Sequence, residues 1–212
     1  FAMTATVVIS VWSDFVCPFC YLEKPVLDQL KATFGNEVEI DWRAFELRPE
    51  PVPLLDPDGE YLHTTWERYV YPMAEERFMT LRLPPVQPRS RLALEADRYA
   101  RSVGLGEALQ FALFQGFFEQ GLDIGDIDML LEIGASIGLN QDGLRVALES
   151  GEFTAAVQAD QQLAQQLGIK GVPALLLRRS DQSQQQAKLV SGAQPFPLLA
   201  RLVEEILSEV ND

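Results

Sequence analysis

The sequence predicts an α/β fold with a helical subdomain in its middle, and three observations carry that prediction. An apolar, β-like run from Thr6 to Trp12 is followed by a helix-like stretch and then by an alternating segment, Val38 to Phe45, which gives a β-α-β opening. From about Tyr61 to Phe153 the apolar residues recur at helical spacing between prolines and glycines. After that the chain returns to strand-like runs and a last amphipathic stretch.

Taken in order, Leu22, Val26, Leu27 and Leu30 mark one face of a first helix reaching about Phe34, where Gly35-Asn36 supplies a stop. Pro25 falls inside it, and a kink is expected there. Pro49, Pro51, Pro53, Pro57 and Asp58-Gly59 then preclude regular structure. The helical section is expected to break at Pro84-Pro85, Pro88, Gly104-Leu105-Gly106, Gly121, Gly138 and Gly151. Within it, Phe111, Phe114, Phe117 and Phe118 read as core of the helical part, and Met129, Leu130, Leu131, Ile133 and Ile137 continue an apolar face. Val157, Leu163, Ala164 and Leu167 mark a further helix ended by Gly168. Ile169 to Leu177 leads into a buried strand, Ser180 to Gln186 forms a turn, and Lys188 to Gly192 is its edge hairpin partner. Pro197 to Val210 closes the chain as a helix.

With 212 residues, 47% of them hydrophobic, the chain has ample material for a packed core. A formal net charge of −14, from 17 Lys+Arg against 31 Asp+Glu, argues against nucleic acid and against an anionic membrane surface. The same acidity favours basic or neutral clients, mainly through encounter rate. No apolar run approaches the ~20 residues of a membrane span. If Met3 is the natural start, Phe1-Ala2 are extraneous and the first strand begins too soon for a signal peptide. The cytoplasm is then the expected address, and a lone CxxC there reads as catalytic rather than as a staple.

That CxxC is Cys17-Pro18-Phe19-Cys20, which holds both cysteines of the chain and lies between the first strand and the first helix. A thiol at a helix start meets unpaired backbone N–H groups and the positive end of the helix dipole, which favour thiolate. Cys20 lies one helical turn on, within reach to close a small disulfide, and Pro18 suits the first turn. The pair therefore reads as a redox dithiol. A zinc site is not expected, since four ligands are usual and His63 is the one histidine left to join the pair. His63 itself reads as an ordinary surface or packed residue. Asp14 is either a buried carboxylate that accepts the Cys20 proton or an acidic cap near Pro18.

Cys17-Pro18-Phe19-Cys20 followed much later by Gly171-Val172-Pro173 resembles the thioredoxin superfamily, in which a CxxC faces a cis-proline loop. The long separation resembles the DsbA branch, where a helical domain is inserted between two halves. Ser13 to Leu22, Phe45-Glu46-Leu47-Arg48-Pro49 and Val190-Ser191-Gly192-Ala193-Gln194 are similar to the FrnE-like DsbA proteins. The resemblance implies a thioredoxin-like fold made of residues 4–50 and 154–212, with an all-helical insertion over 51–153. It also implies that the loop at Val172-Pro173 packs against the disulfide and that its backbone pairs with an extended substrate peptide.

The function this implies is thiol–disulfide exchange with protein clients, with Cys17 as the attacking thiol, Cys20 resolving, and Pro18, Phe19, Val172 and Pro173 contacting substrate. No cofactor beyond the Cys17–Cys20 disulfide is expected, with glutathione or the thioredoxin system as electron partner. Phe19 stands where the DsbA branch often carries histidine, so a milder oxidant than DsbA at about −120 mV is expected, above thioredoxin at about −270 mV. Val172 is the type the resemblance associates with oxidases, and without a second cysteine pair a two-disulfide relay is excluded. Two other readings stay open: a glutathione-dependent enzyme of the kappa-transferase or hydroxychromene-carboxylate isomerase type, which resembles this architecture but carries serine where Cys17 stands, and a noncatalytic module that binds clients through an apolar groove around Phe19 and Val172.

Overall fold

Continuous apolar character from Val7 to Ser13 suits a strand covered on both faces, and in the computed structural model, which describes residues 5–209, this strand (β1) is buried along its whole length. On one side β1 pairs in parallel with β2 (Val38–Ala44), and on the other it pairs antiparallel with β3 (Ala174–Arg179). β4 (Lys188–Ser191) lies antiparallel to β3 at the edge, so the sheet order is β2-β1-β3-β4. A parallel pair needs a crossover, and α1 (Pro18–Phe34) supplies it, running on through Pro25. The expected start at Met3, the extraneous Phe1-Ala2 and the expected helix end at Val210 lie outside the described residues.

Alternation along β1 sorts its side chains onto two layers. Val7, Ile9 and Val11 meet Val26, Leu27 and Leu30 of α1 and Leu199 and Val203 of α9 (Phe196–Ser208). Trp12, on the other face, packs with Phe45, Leu176, Ile169 and Ala164, the last carried by α8 (Thr154–Gln166).

Between Glu60 and α8 the chain is mainly helical; the breaks at Gly104, Gly121, Gly138 and Gly151 fall where predicted, but the first opens at Arg77, ahead of Pro84. α2 (Glu60–Thr65) passes through a π-helical turn, Trp66–Val70, into α3 (Tyr71–Glu76). After an irregular stretch holding Pro84, Pro85 and Pro88 come α4 (Arg91–Ser102), α5 (Gly106–Phe118), α6 (Ile127–Ser136) and α7 (Gln141–Ser150). Asn140 caps α7 by accepting from the Gly143 N–H at 2.8 Å, and Gly151 ends it in the left-handed conformation with φ 67°. The expectation of one phenylalanine core needs correction at Phe111, which is 50% exposed. The buried arc of α5 centres on Leu109, Leu113 and Phe117, and Phe111 falls beside it on the solvent side. Phe114 and Phe118 do more than fill the helical part: both stack on Tyr21 of α1, at centroid distances of 5.2 and 5.9 Å.

One buried carboxylate fastens the helices to the sheet. Asp160 of α8 accepts from the Ala44 amide at 2.8 Å, from Arg43 Nη1 at 3.1 Å and from Arg98 of α4, while its carbonyl accepts from Trp12 Nε1 at 3.0 Å. Removing a buried carboxylate strands its donors. Asp160→Ala is expected to destabilise the fold by about 3 kcal/mol, and urea unfolding checks it; a loss under about 1 kcal/mol would mean that these donors find water instead.

Candidate active site

The β1–α1 junction turns tightly. The Cys17 amide donates to the Asp14 carbonyl at 3.2 Å and the Cys20 amide to the Cys17 carbonyl at 3.1 Å. Cys17 is the N-cap of α1, in extended conformation, and Pro18 follows in the first turn, where its missing N–H deprives no acceptor. Both cysteines are free thiols, 5% and 2% exposed, Cys20 the deeper. Burial, with Cys17 close beside it, pushes the Cys20 thiol well above the ordinary range, against the opposing pull of the Asp14 backbone and the Ser13 side chain.

β3 returns the chain to this corner. The Val172–Pro173 peptide bond is cis, and Pro173 stands just ahead of β3, where it withholds no N–H from the ladder. Cys17 Sγ donates to the Val172 carbonyl at 3.5 Å, and the Pro173 carbonyl accepts from the Gly192 amide beyond β4 at 2.8 Å. Cys17 and Cys20 belong to an extended apolar cluster against which Phe19 and Val172 pack. Beside them opens a cleft of about 170 Å³, lined by Cys17, Pro18, Phe19, Leu62, Trp66 and Phe118, with Arg48 among the polar groups at its wall.

Asp14 is fully buried and does not cap α1, which corrects the second of its two sequence readings: its Oδ2 accepts from the Leu47 amide at 2.8 Å, because the loop after β2 folds back over it. Burial raises its pKa to about 6, with the Leu47 hydrogen bond pulling the other way, and its Oδ1 has no hydrogen-bond partner. His63 is exposed on α2 and lines a separate hollow with Trp66, Glu67 and Tyr71.

Sequence reasoning missed several residues of this corner. Leu62 and Trp66 come from α2 and the π-helical turn, and Phe118 read as helical core; no local pattern measures their distance to Cys17. Glu23, three residues past Cys20, is buried; it accepts from Arg77 Nη1 at 3.2 Å and from the Gln194 amide, while Arg77 also donates to the Leu22 carbonyl. It joins α1, the segment after α3 and the loop after β4, whose Gly192 amide donates to the Pro173 carbonyl. Burial raises its pKa to about 6, opposed by the Gln194 amide and Arg77.

A four-stranded mixed sheet flanked by helices, with a CxxC at the first helix start against a proline loop, defines the class of DsbA-type thioredoxin folds. The chain belongs to the family of the DSBA-like thioredoxin domain, whose model matches residues 8–204. Its relative YwbO of Bacillus subtilis, an uncharacterized protein, is 34% identical over 179 residues, which span 81% of this chain and 87% of the relative. Among solved structures it is similar to a probable DsbA oxidoreductase from Streptomyces coelicolor, with TM-score 0.77, 26% identity, and coverage of 96% of this chain and 91% of that one. The cytosolic disulfide reductase DsbM of Pseudomonas aeruginosa shares the fold at TM-score 0.71 and 19% identity, covering 94% and 98% of the two chains, and has also been solved with glutathione. Among the described residues no helix is long and apolar enough to cross a membrane.

Asp14 makes stability depend on pH. With a folded pKa of about 6 against an ordinary value of 3.8, the native state binds the extra proton between those limits, so the ionised carboxylate costs stability above about pH 6 and the cost is relieved as pH falls. Asp14→Asn is expected to gain about 1–3 kcal/mol at pH 8 and little at pH 4. Urea unfolding at both values checks this, and an equal effect at both would contradict it.

Proposed function

We propose that this chain is a thiol–disulfide oxidoreductase, FrnE-like within its family, that exchanges disulfides with protein clients through Cys17 and Cys20. The observation that carries the reading is the asymmetry of the pair. Cys17 sits at the helix start with its sulfur on the Val172 carbonyl and at the wall of an apolar cleft, while Cys20 lies deeper and is held protonated by burial.

In the reducing direction the Cys17 thiolate attacks a client disulfide; the client S–S bond breaks and one client sulfur leaves with the electron pair. Cys20 then gives up its proton and attacks the Cys17 sulfur, releasing the second client thiolate and closing the Cys17–Cys20 disulfide, so two electrons pass to the client. Oxidation of a client dithiol is the reverse. Asp14, with a pKa of about 6, is our candidate acceptor for the Cys20 proton. Pro18 and Phe19 form the apolar floor, and the backbone at Val172-Pro173 pairs with the extended client, whose far side rests on the helical insertion of residues 51–153. Two thiols supply this chemistry without a further cofactor. Glutathione or the thioredoxin system is the electron partner, and the cytoplasm the setting, a reading supported by the glutathione-bound form of the cytosolic DsbM. A glutathione transferase would have no use for Cys20, and its position beneath Cys17 favours the dithiol over that reading.

Equilibration in glutathione buffers is expected to give one two-electron transition between about −270 and −120 mV. Cys17→Ser abolishes exchange, and Cys20→Ser accumulates glutathione on Cys17. A protein that forms no reversible disulfide at any poise would contradict the proposal.

A further inference from the structure

The loop after β2 carries a cation into the cleft. Arg48 lines the wall beside Cys17 and also a smaller hollow next to it, with Leu54, Leu55 and Gln87. Its backbone is fixed on every side. The preceding amide, of Leu47, donates to Asp14; the Arg48 carbonyl accepts from Arg89 Nη1 at 2.8 Å; the same Arg89 nitrogen reaches the Val52 carbonyl; and the Val52 amide closes a turn on Pro49 at 2.8 Å.

Its side chain is treated differently. Arg43, Arg77, Arg91, Arg98 and Arg101 each sit on a carboxylate, but among the described residues the Arg48 guanidinium has no ion pair and no hydrogen bond; the exposed Arg68 and Arg82 share that, whereas Arg48 is half-buried at the cleft wall. Of the two carboxylates nearest in sequence, Glu46 is buried and taken by Arg91 at 2.6 Å, and Glu50 is exposed and makes no ion pair with Arg48. In a chain with 31 acidic residues, an arginine left unpaired on a pinned backbone beside the exchanging thiol is a binding group waiting for its anion. The planar fork matches a carboxylate, and the apolar wall strengthens the attraction relative to open water.

We infer that Arg48 reads a carboxylate close to the reacting sulfur, so that the cleft selects thiols and disulfides that carry an acidic group next to the cysteine. The inference rests on Cys17 being the exchanging thiol. The net charge of −14 opposes such substrates at long range, but at physiological salt that field is screened within about 8 Å, and a seated carboxylate feels Arg48. The carboxylate has two sources: an acidic residue of a client, or that of a small peptide thiol such as glutathione.

The test measures the second-order rate at which the reduced protein is oxidised by two disulfide series. One is a dimeric cysteine peptide with Glu, Gln or Lys beside the cysteine; the other is glutathione disulfide against its carboxyl-esterified form. The expected result is a preference for the acidic member of about five- to tenfold in at least one series. That ratio falls to about one in Arg48→Gln and is partly kept in Arg48→Lys. Because each ratio is taken within one variant, a general loss of rate does not affect it. A preference confined to one series identifies the source of the carboxylate. Equal rates for acidic and neutral members in the unaltered protein, or a ratio unchanged in Arg48→Gln, would overturn the inference alone. Failure to react even with bis(2-hydroxyethyl) disulfide would overturn the oxidoreductase reading and this one together.

Discussion

Where β1 runs antiparallel to β3, Trp12 faces Ala174, and that register decides what Cys17 meets. The chain leaves β1 at Ser13 and reaches Cys17 within a single turn, while Val172 and Pro173 lie just ahead of Ala174 on the neighbouring strand. Two segments far apart in sequence thereby put a thiol and a carbonyl 3.5 Å apart. A slip of one residue would turn every β3 side chain to the opposite face, exchanging the layer of Leu175 and Leu177 for that of Leu176. Burial on both faces makes such a slip costly, so the packing of the sheet is also what holds the site in register.

Three of the buried carboxylates at the joints around this sheet are compensated unequally. Asp160 receives two arginines and an amide and fastens α8 to β2 and α4. Glu23 receives Arg77 and the Gln194 amide and ties α1 to the loop behind Pro173, yet burial still lifts its pKa. Asp14 accepts from the Leu47 amide, and the Ser90 side chain and Val16 backbone also favour its charged form, yet burial still lifts its pKa.

Much of this arrangement was legible from residue order. An unbroken apolar β1, the CxxC at its end, Pro173 ahead of a second apolar run and the glycines between helices each act through local backbone chemistry, and local chemistry is what a sequence displays. The elements follow from it; that Val172-Pro173 would lie against the CxxC was implied by the family resemblance rather than by local chemistry. What stayed hidden depends on distance. Trp66, Leu62 and Phe118 reach the cleft only because α2 and α5 pack over α1, and Phe118 carries no mark separating it from Phe117. Phe111 went astray because it falls a few tens of degrees outside the buried arc of its helix, too little for spacing to resolve. Asp14 left two readings open until the Leu47 amide was seen to fold back onto it.

At the centre stands an unequal pair: one thiol set at a helix start beside a cleft, the other kept beneath it. Competitive alkylation of the native reduced protein, with mass-spectrometric reading of each cysteine, measures that inequality directly. Cys17 is expected to react at least about tenfold faster than Cys20, with the difference lost on unfolding in urea. Equal rates in the native state, or faster modification of Cys20, would contradict the assignment of Cys17 as the attacking thiol.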